Sequence, residues 1–121
     1  MARILVVEDE AVITMLLKHI LGQGNHEVVG VASTGERAVQ LAREQSPDLV
    51  VMDITLKGAM DGIEAAKTII DELHLPIIFM TSHSDQATLD RTKAVRPAGF
   101  LLKPIKDKDF LYTVDTALAA T

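Results

Sequence analysis

The chain has 121 residues and an apolar share of 48%, which suits one domain of ordinary size with a genuine core. Its net charge of -5, its 12 scattered Lys and Arg residues and its lack of cysteine argue against direct nucleic-acid binding and exclude disulfides, thiolate catalysis and Cys-ligated metals. No run approaches the ~20 apolar residues of a membrane helix and no signal peptide is present, so we expect a cytoplasmic protein without membrane contacts.

Five short apolar runs predict β-strands. They lie near residues 3–8, 27–32, 48–53, 76–81 and 98–102. Stretches of helical period separate them, and this alternation is typical of an α/β domain. Because the runs are continuously apolar, we expect a parallel sheet that is covered by helices on both faces.

The first helix is predicted from apolar residues that recur at helical spacing. They form one stripe: Val12, Ile13, Leu16, Leu17, Ile20 and Leu21. Gly22 and Gly24 are expected to stop this helix. A last helix is predicted over residues 107–120 by the same kind of pattern.

Two further helices are predicted from capping signals. Ser33 with Glu36 and Asp61 with Glu64 have the spacing of capping boxes, so each pair predicts the start of a helix. The stretch 84–96 is mostly polar and predicts a weakly anchored helix, which is either a solvated surface or a movable, partner-facing element.

Several polar residues follow the predicted strands at their carboxyl ends. They are Glu8, Asp9, Asp53, Thr81 and Lys103. Because the carboxyl ends of parallel strands meet at one edge of a sheet, we expect these side chains to share a pocket. Taken singly, each residue could be a helix cap or a solvated loop residue, but five of them on one edge favour a functional site.

Clustered carboxylates repel one another, and a divalent cation relieves that repulsion. Mg²⁺ prefers carboxylates, carbonyls and water. Asp9 and Asp53 are the expected direct ligands, with Glu8 binding directly or through water. The backbone carbonyl of Thr55 would be a neutral ligand.

Asp53 ends the central apolar run, and a carboxylate there can attack phosphorus and form an acyl phosphate. Transfer of a phosphoryl group spreads negative charge over its oxygens. Mg²⁺ and Lys103 would neutralise that charge, and the Thr81 hydroxyl would donate a hydrogen bond to a remaining oxygen.

These residues resemble the receiver domain of two-component response regulators. The matching segments are residues 6–10, 53–54, 61–65, 80–82 and 99–104. Their order and separations fit, and the resemblance covers residues 1–121 as one domain. It implies a three-layer, doubly wound, flavodoxin-like (βα)₅ fold with a parallel sheet of order 2-1-3-4-5.

The resemblance also implies a role for each site residue. Asp53 is the phosphorylated aspartate, Glu8 and Asp9 bind Mg²⁺, Lys103 contacts the phosphate, and Thr81 and Phe100 are the switch residues. Thr55 and His83 stand where the family tunes how fast water removes the phosphate. A cis peptide is implied between Lys103 and Pro104.

The implied phosphodonor is a sensor histidine kinase or a phosphotransfer protein. Phosphorylation would change the surface formed by the fourth helix, fifth strand and fifth helix, which would control a downstream protein or an output domain and could support a homodimer. We expect no enzymatic activity beyond self-catalysed phosphorylation and dephosphorylation. Met1 favours an N-terminal position, either in a free-standing receiver or in a larger regulator.

The chain departs from the family pattern in two places. Lys57 stands where the family usually has proline, and the loop after Asp53 is one residue longer, with Gly58 absorbing the change. Phe100 replaces the commoner tyrosine.

Three other functions fit only parts of the sequence. A Mg²⁺-dependent aspartyl phosphohydrolase would carry a second acid at the position of Thr55. A receiver that serves only as a non-phosphorylated scaffold would not need the full acceptor set. A nucleotide site would need a glycine-rich loop, and residues 22–24 lack its third glycine and follow a helix.

Overall fold

The computed structural model describes residues 1–56, 58–82 and 85–120. Strands and helices alternate along the chain. The strands are β1 (Arg3–Val7), β2 (Glu27–Ala32), β3 (Leu49–Asp53), β4 (Ile77–Thr81) and β5 (Gly99–Leu102). The helices are α1 (Ala11–Gln23), α2 (Gly35–Gln45), α3 (Gly62–Leu73), α4 (Gln86–Ala94) and α5 (Asp107–Ala119). Each predicted strand is confirmed to within one residue at its ends.

The strands form one parallel sheet in the order β2-β1-β3-β4-β5. Every residue of β3 and β4 is buried, as continuous apolar runs predict for strands covered on both faces. One apolar core lies between the sheet and helices α1 and α5, and the other lies beneath α2 and α3. The predicted doubly wound topology is therefore confirmed, with β3 at its centre.

Helix α1 differs from its prediction in two respects. Gly22 does not stop it, because the helix continues to Gln23 and ends where the Gly24 N–H reaches carbonyls of the last turn. A glycine inside a helix costs only about 1 kcal/mol, which the surrounding packing can offset. Only one side of the predicted stripe reaches the core, so Val12 is 79% exposed and Leu16 is 42% exposed.

The predicted capping box of α2 is wrong. The helix begins one residue later, and its cap is Thr34, whose Oγ1 accepts a hydrogen bond from the Arg37 N–H at 3.1 Å. The Glu36 carboxylate instead accepts a hydrogen bond from the Met60 N–H at 3.0 Å, so a distant loop takes the oxygen that a capping box would have used.

The capping box of α3 is confirmed. The Asp61 carboxylate accepts from the Glu64 N–H at 2.9 Å, and the Glu64 carboxylate accepts from the Asp61 N–H at 3.1 Å. This reciprocal pair fixes the start of α3 just beyond the loop that follows Asp53.

Helix α4 packs weakly, as the polar stretch predicts. Asp85 caps it, and Thr92 is the one residue buried along Gln86–Ala94. The Arg91 guanidinium contacts the Asp61 carboxylate at 2.8 Å, which links α4 to the cap of α3. Among the residues that the structure describes, no helix combines the length and apolar character needed to span a lipid bilayer.

Candidate functional site

The register of the sheet brings the predicted site residues together at one edge. Val7 of β1 pairs with Met52 of β3, so the next residues, Glu8 and Asp53, emerge side by side. Asp53 in turn pairs with Met80, which places the end of β3 beside the end of β4. The polar residues converge because each lies at or just after the end of a strand, and neighbouring strands end at the same level of the sheet.

The other half of the site comes from β4 and β5. Thr81 ends β4, is 1% exposed and pairs with Leu102. Lys103 comes one residue later, and its N–H donates to the Thr81 carbonyl at 2.8 Å. The peptide bond between Lys103 and Pro104 is cis, which confirms that prediction.

A single ammonium group joins the two central carboxylates. Lys103 Nζ lies 2.9 Å from Glu8 Oε2 and 3.4 Å from Asp53 Oδ2. Glu8 is 2% exposed and Asp53 is 3% exposed, so these charges interact with little screening by water. The pocket therefore holds one ammonium group in contact with two carboxylates.

Backbone N–H groups hold the second oxygen of each acid. The Glu10 N–H donates to Glu8 Oε1 at 3.2 Å, and the Thr55 N–H donates to Asp53 Oδ1 at 3.2 Å. Each carboxylate is thus held by its own chain on one side and by Lys103 on the other, which restricts its rotation.

Burial dominates the proton affinities of the site. It raises the pKa of Glu8 to about 7, with a further contribution from the neighbouring Asp53 charge, while the hydrogen bond from Lys103 opposes the rise. Burial likewise raises the pKa of Asp53 above its usual range, against the opposing charge of Lys103. For Lys103, burial alone would lower the pKa, but its contacts with Glu8 and Asp53 outweigh burial and raise it.

The acidic cluster has the chemistry of a magnesium site. Glu8, Asp9 and Glu10 each offer a carboxylate oxygen, and these three oxygens lie within 4.8 Å of one another. Carboxylate oxygens are the hard ligands that Mg²⁺ prefers. Asp53 connects to this cluster by way of Glu8, with Lys103 between them.

Glu10 was missed by the sequence reasoning as a member of this cluster. It is the N-cap of α1 but makes no side-chain capping bond, so its carboxylate remains near those of Glu8 and Asp9. The signal was present in the sequence, because Glu10 is the third acid of the run 8–10.

The remaining predicted residues have different surroundings. Phe100 is half-buried and packs against the core beneath α2 and α3. The Thr55 side chain is exposed. Gly58 has a φ of 101°, a backbone conformation that favours glycine. His83 and Lys57 lie outside the residues that the structure describes.

A doubly wound parallel sheet with buried acids and a lysine at its carboxyl edge defines the receiver class of α/β domain. The model of the response regulator receiver domain family matches residues 4–115, and the chain belongs to this family. The resemblance seen in the sequence is confirmed. Receiver domains act in phosphorelay signalling and bind Mg²⁺ at an acidic pocket.

Curated relatives include regulators of two lengths. The transcriptional regulatory protein PdtaR of Mycobacterium tuberculosis is 35% identical over 117 residues, which covers 97% of this chain and 57% of PdtaR. The chemotaxis protein CheY of Bacillus subtilis is 36% identical over 117 residues, covering 96% of this chain and 97% of CheY. The chain thus spans little more than half of the first relative and nearly all of the second.

Solved structures share the fold. The signal receiver domain of a modulated diguanylate cyclase from Desulfovibrio desulfuricans G20 superposes with a TM-score of 0.94 at 36% sequence identity. The match covers 99% of this chain and 95% of that one. The flavodoxin-like arrangement predicted from the sequence is confirmed by this neighbour.

Proposed function

We propose that this receiver accepts a phosphoryl group on Asp53 in the presence of Mg²⁺. Glu8, Asp9, Asp53 and the backbone carbonyl of Thr55 are the proposed metal ligands. Lys103 contacts the transferred group, and the Thr81 hydroxyl donates a hydrogen bond to it. One observation carries this proposal, which is the buried contact of the Lys103 ammonium with both the Glu8 and Asp53 carboxylates.

The transfer is a displacement at phosphorus. An Asp53 oxygen donates an electron pair and forms the new P–O bond, while the bond from phosphorus to the donor breaks and its electrons leave with the donor. The Thr55 N–H holds Asp53 Oδ1, and Oδ2 faces Lys103, so the nucleophile is oriented before the donor arrives.

Lys103 supplies positive charge where negative charge builds up. Its raised pKa keeps it protonated at neutral pH, and its burial makes that charge more effective than it would be in water. Bound Mg²⁺ would add further charge neutralisation.

The same pocket supports an output switch. A phosphoryl oxygen near Thr81 would draw its hydroxyl inward, and the half-buried Phe100 could then rotate further toward the core. Helix α4, with a single buried residue, is poorly anchored against such a change. Phosphorylation would therefore shift the population between two packings of the α4–β5–α5 surface.

The proposed donor is the phosphohistidine of a sensor histidine kinase or of a phosphotransfer protein. The proposed target is a downstream protein or an output domain, reached through the α4–β5–α5 surface. Leu102 and Tyr112 expose apolar side chains from β5 and α5, which also makes this surface a candidate for a homodimer contact. We propose no direct contact of this chain with nucleic acid or membrane.

We also propose that the chain does not turn over external phosphate esters. Two residues after Asp53 the side chain is that of Thr55, which cannot serve as a strong general acid. Thr55 and His83 would instead set how fast water removes the phosphate. A steady-state assay on small phosphate esters should give no turnover beyond background, and sustained turnover that is lost in Asp53→Asn would favour a phosphohydrolase.

Phosphorylation by acetyl phosphate tests the acceptor function. The intact mass of the wild-type chain should increase by one phosphoryl group when Mg²⁺ is present and stay unchanged when Mg²⁺ is chelated. Asp53→Asn should remain unmodified under both conditions, because its amide is a poor nucleophile. Equal labelling of Asp53→Asn and wild type would refute the assignment.

A further inference from the structure

The loop between β3 and α3 poses a positioning problem for the proposed function. It begins at Ile54 and ends at the Asp61 cap of α3, and it carries the Thr55 carbonyl proposed as a metal ligand. Leu56 and Met60 pack against the core beneath α2 and α3, but Thr55 and Gly58 are exposed, so apolar packing alone does not fix the residues near the proposed metal ligand. A polar contact that adds to this packing would help to keep the loop in one conformation for metal binding.

The first turn of α2 provides such a contact. Glu36 Oε1 accepts a hydrogen bond from the Met60 N–H at 3.0 Å, across 24 residues of sequence. The other oxygen of the same carboxylate lies close to Gly58, 3.2 Å from where a Cβ would stand on that residue. The Glu36 carboxylate therefore contacts both Gly58 and Met60, which lie in the second half of the loop.

Gly35 brings the two segments into direct contact. A Cβ on Gly35 would lie 2.8 Å from the Met60 carbonyl oxygen and 2.9 Å from Met60 Cγ. Contacts that short are not tolerated by backbone atoms, so any side chain at Gly35 would force Met60 away. The close approach and the hydrogen bond involve the same loop residue from the same turn of α2.

Met60 lies close in sequence to the residues through which α3 contacts β3, the strand that ends at Asp53. The Gly62 N–H donates to the Ile54 carbonyl at 2.9 Å, and a Cβ on Gly62 would collide with the Asp53 carbonyl oxygen. The start of α3 thus rests on the backbone of Asp53. A displacement of Met60 would therefore also displace the nearby backbone, both at Thr55 and at the contact between α3 and Asp53.

We propose that Glu36, supported by the close approach at Gly35, is a positioning residue that holds the β3–α3 loop ready to bind metal and phosphoryl group. This inference rests on the proposed function. Without the Glu36 hydrogen bond the loop samples other conformations, and metal binding must then restore the competent one. The effect on metal affinity is limited by the free energy of the lost hydrogen bond.

The test is the Mg²⁺ affinity of the full chain, measured by titration calorimetry. A net hydrogen bond of this kind corresponds to a change of about three- to tenfold in an equilibrium constant, so Glu36→Ala should weaken Mg²⁺ binding by that factor. Glu36→Gln keeps an oxygen that can accept from Met60 and should bind within about twofold of wild type. Gly35→Ala should weaken binding by a different route, through displacement of Met60.

Arg43→Ala is the matched control. Arg43 and Glu72 form an exposed ion pair at 2.7 Å that also links α2 to α3, and neither side chain makes a hydrogen bond or ion pair with the loop residues that the structure describes. This variant should bind Mg²⁺ like wild type. Phosphorylation by acetyl phosphate should show the same order, with a higher Mg²⁺ requirement in Glu36→Ala and an unchanged rate at saturating Mg²⁺.

The inference is overturned if Glu36→Ala binds Mg²⁺ as tightly as wild type, or if Arg43→Ala weakens binding equally. It is also overturned if Glu36→Gln is as weak as Glu36→Ala, since charge and not the Met60 hydrogen bond would then be responsible. Failure of the proposed function looks different, because wild type itself would then bind no Mg²⁺ or accept no phosphoryl group.

Discussion

The raised proton affinity of Glu8 predicts that Mg²⁺ binding depends on pH near neutrality. Burial raises the pKa of this carboxyl to about 7, and a proposed ligand must lose its proton before it binds a metal. For a ligand of that pKa, the apparent dissociation constant grows by a factor of about 11 at about pH 6 and by only about 1.1 at about pH 8. Mg²⁺ affinity should therefore fall about tenfold as pH is lowered across this range.

Titration calorimetry in buffers of different ionisation enthalpy measures both the affinity and the number of protons released. Close to one proton should be released per Mg²⁺ bound at about pH 6, and almost none at about pH 8. Glu8→Gln should bind Mg²⁺ more weakly and lose this proton release. Wild-type affinity that stays constant across the range, with no proton release, would refute the assignment of Glu8 as a ligand with raised pKa.

Three further predictions concern stability, switching and helix α4. The pKa of Glu8 is higher in the folded protein, so the folded state binds more protons than the unfolded state between about pH 4.5 and about pH 7. The metal-free protein should therefore lose up to about 3 kcal/mol of unfolding free energy as the pH rises through that window. Denaturant titrations that show a gain in stability over the same window would contradict this. Thr81→Ala should accept phosphate at close to the wild-type level but show weaker phosphorylation-dependent binding of its target, and equal binding would refute the coupling. Arg91→Gln removes an exposed ion pair with Asp61 that contributes less than about 1 kcal/mol, so amide exchange along residues 86–94 should speed up by about 1.5- to fivefold while exchange in α5 is unaffected. Unchanged exchange in α4 would show that the pair does not anchor this helix.

The convergence of the site could be predicted because it follows from sheet geometry. Glu8, Asp53 and Thr81 each stand at the end of a continuous apolar run, and parallel strands bring such ends to one edge. The cap of α3 could also be predicted, because Asp61 and Glu64 are close in sequence and the carboxylate of each accepts a hydrogen bond from the backbone N–H of the other. Local patterns predict local structure and the common edge of a sheet.

Contacts between distant segments could not be predicted in this way. The Ser33 capping box failed because Glu36 accepts a hydrogen bond from Met60, and no local pattern shows that this loop passes beside α2. The exposure of Val12 has a related cause, since an apolar stripe does not reveal how much of its width the sheet can cover. In both cases the outcome depends on which surface a segment meets.

Chemical trapping of the modified residue tests the central claim most directly. Borohydride reduces an aspartyl phosphate to homoserine, so peptide mass spectrometry after reaction with acetyl phosphate identifies the acceptor position. We predict homoserine at Asp53 in the wild-type chain, formed when Mg²⁺ is present and lost when it is chelated. Trapping at Asp9 or another acid, or trapping at Asp53 that is indifferent to Mg²⁺, would contradict the account.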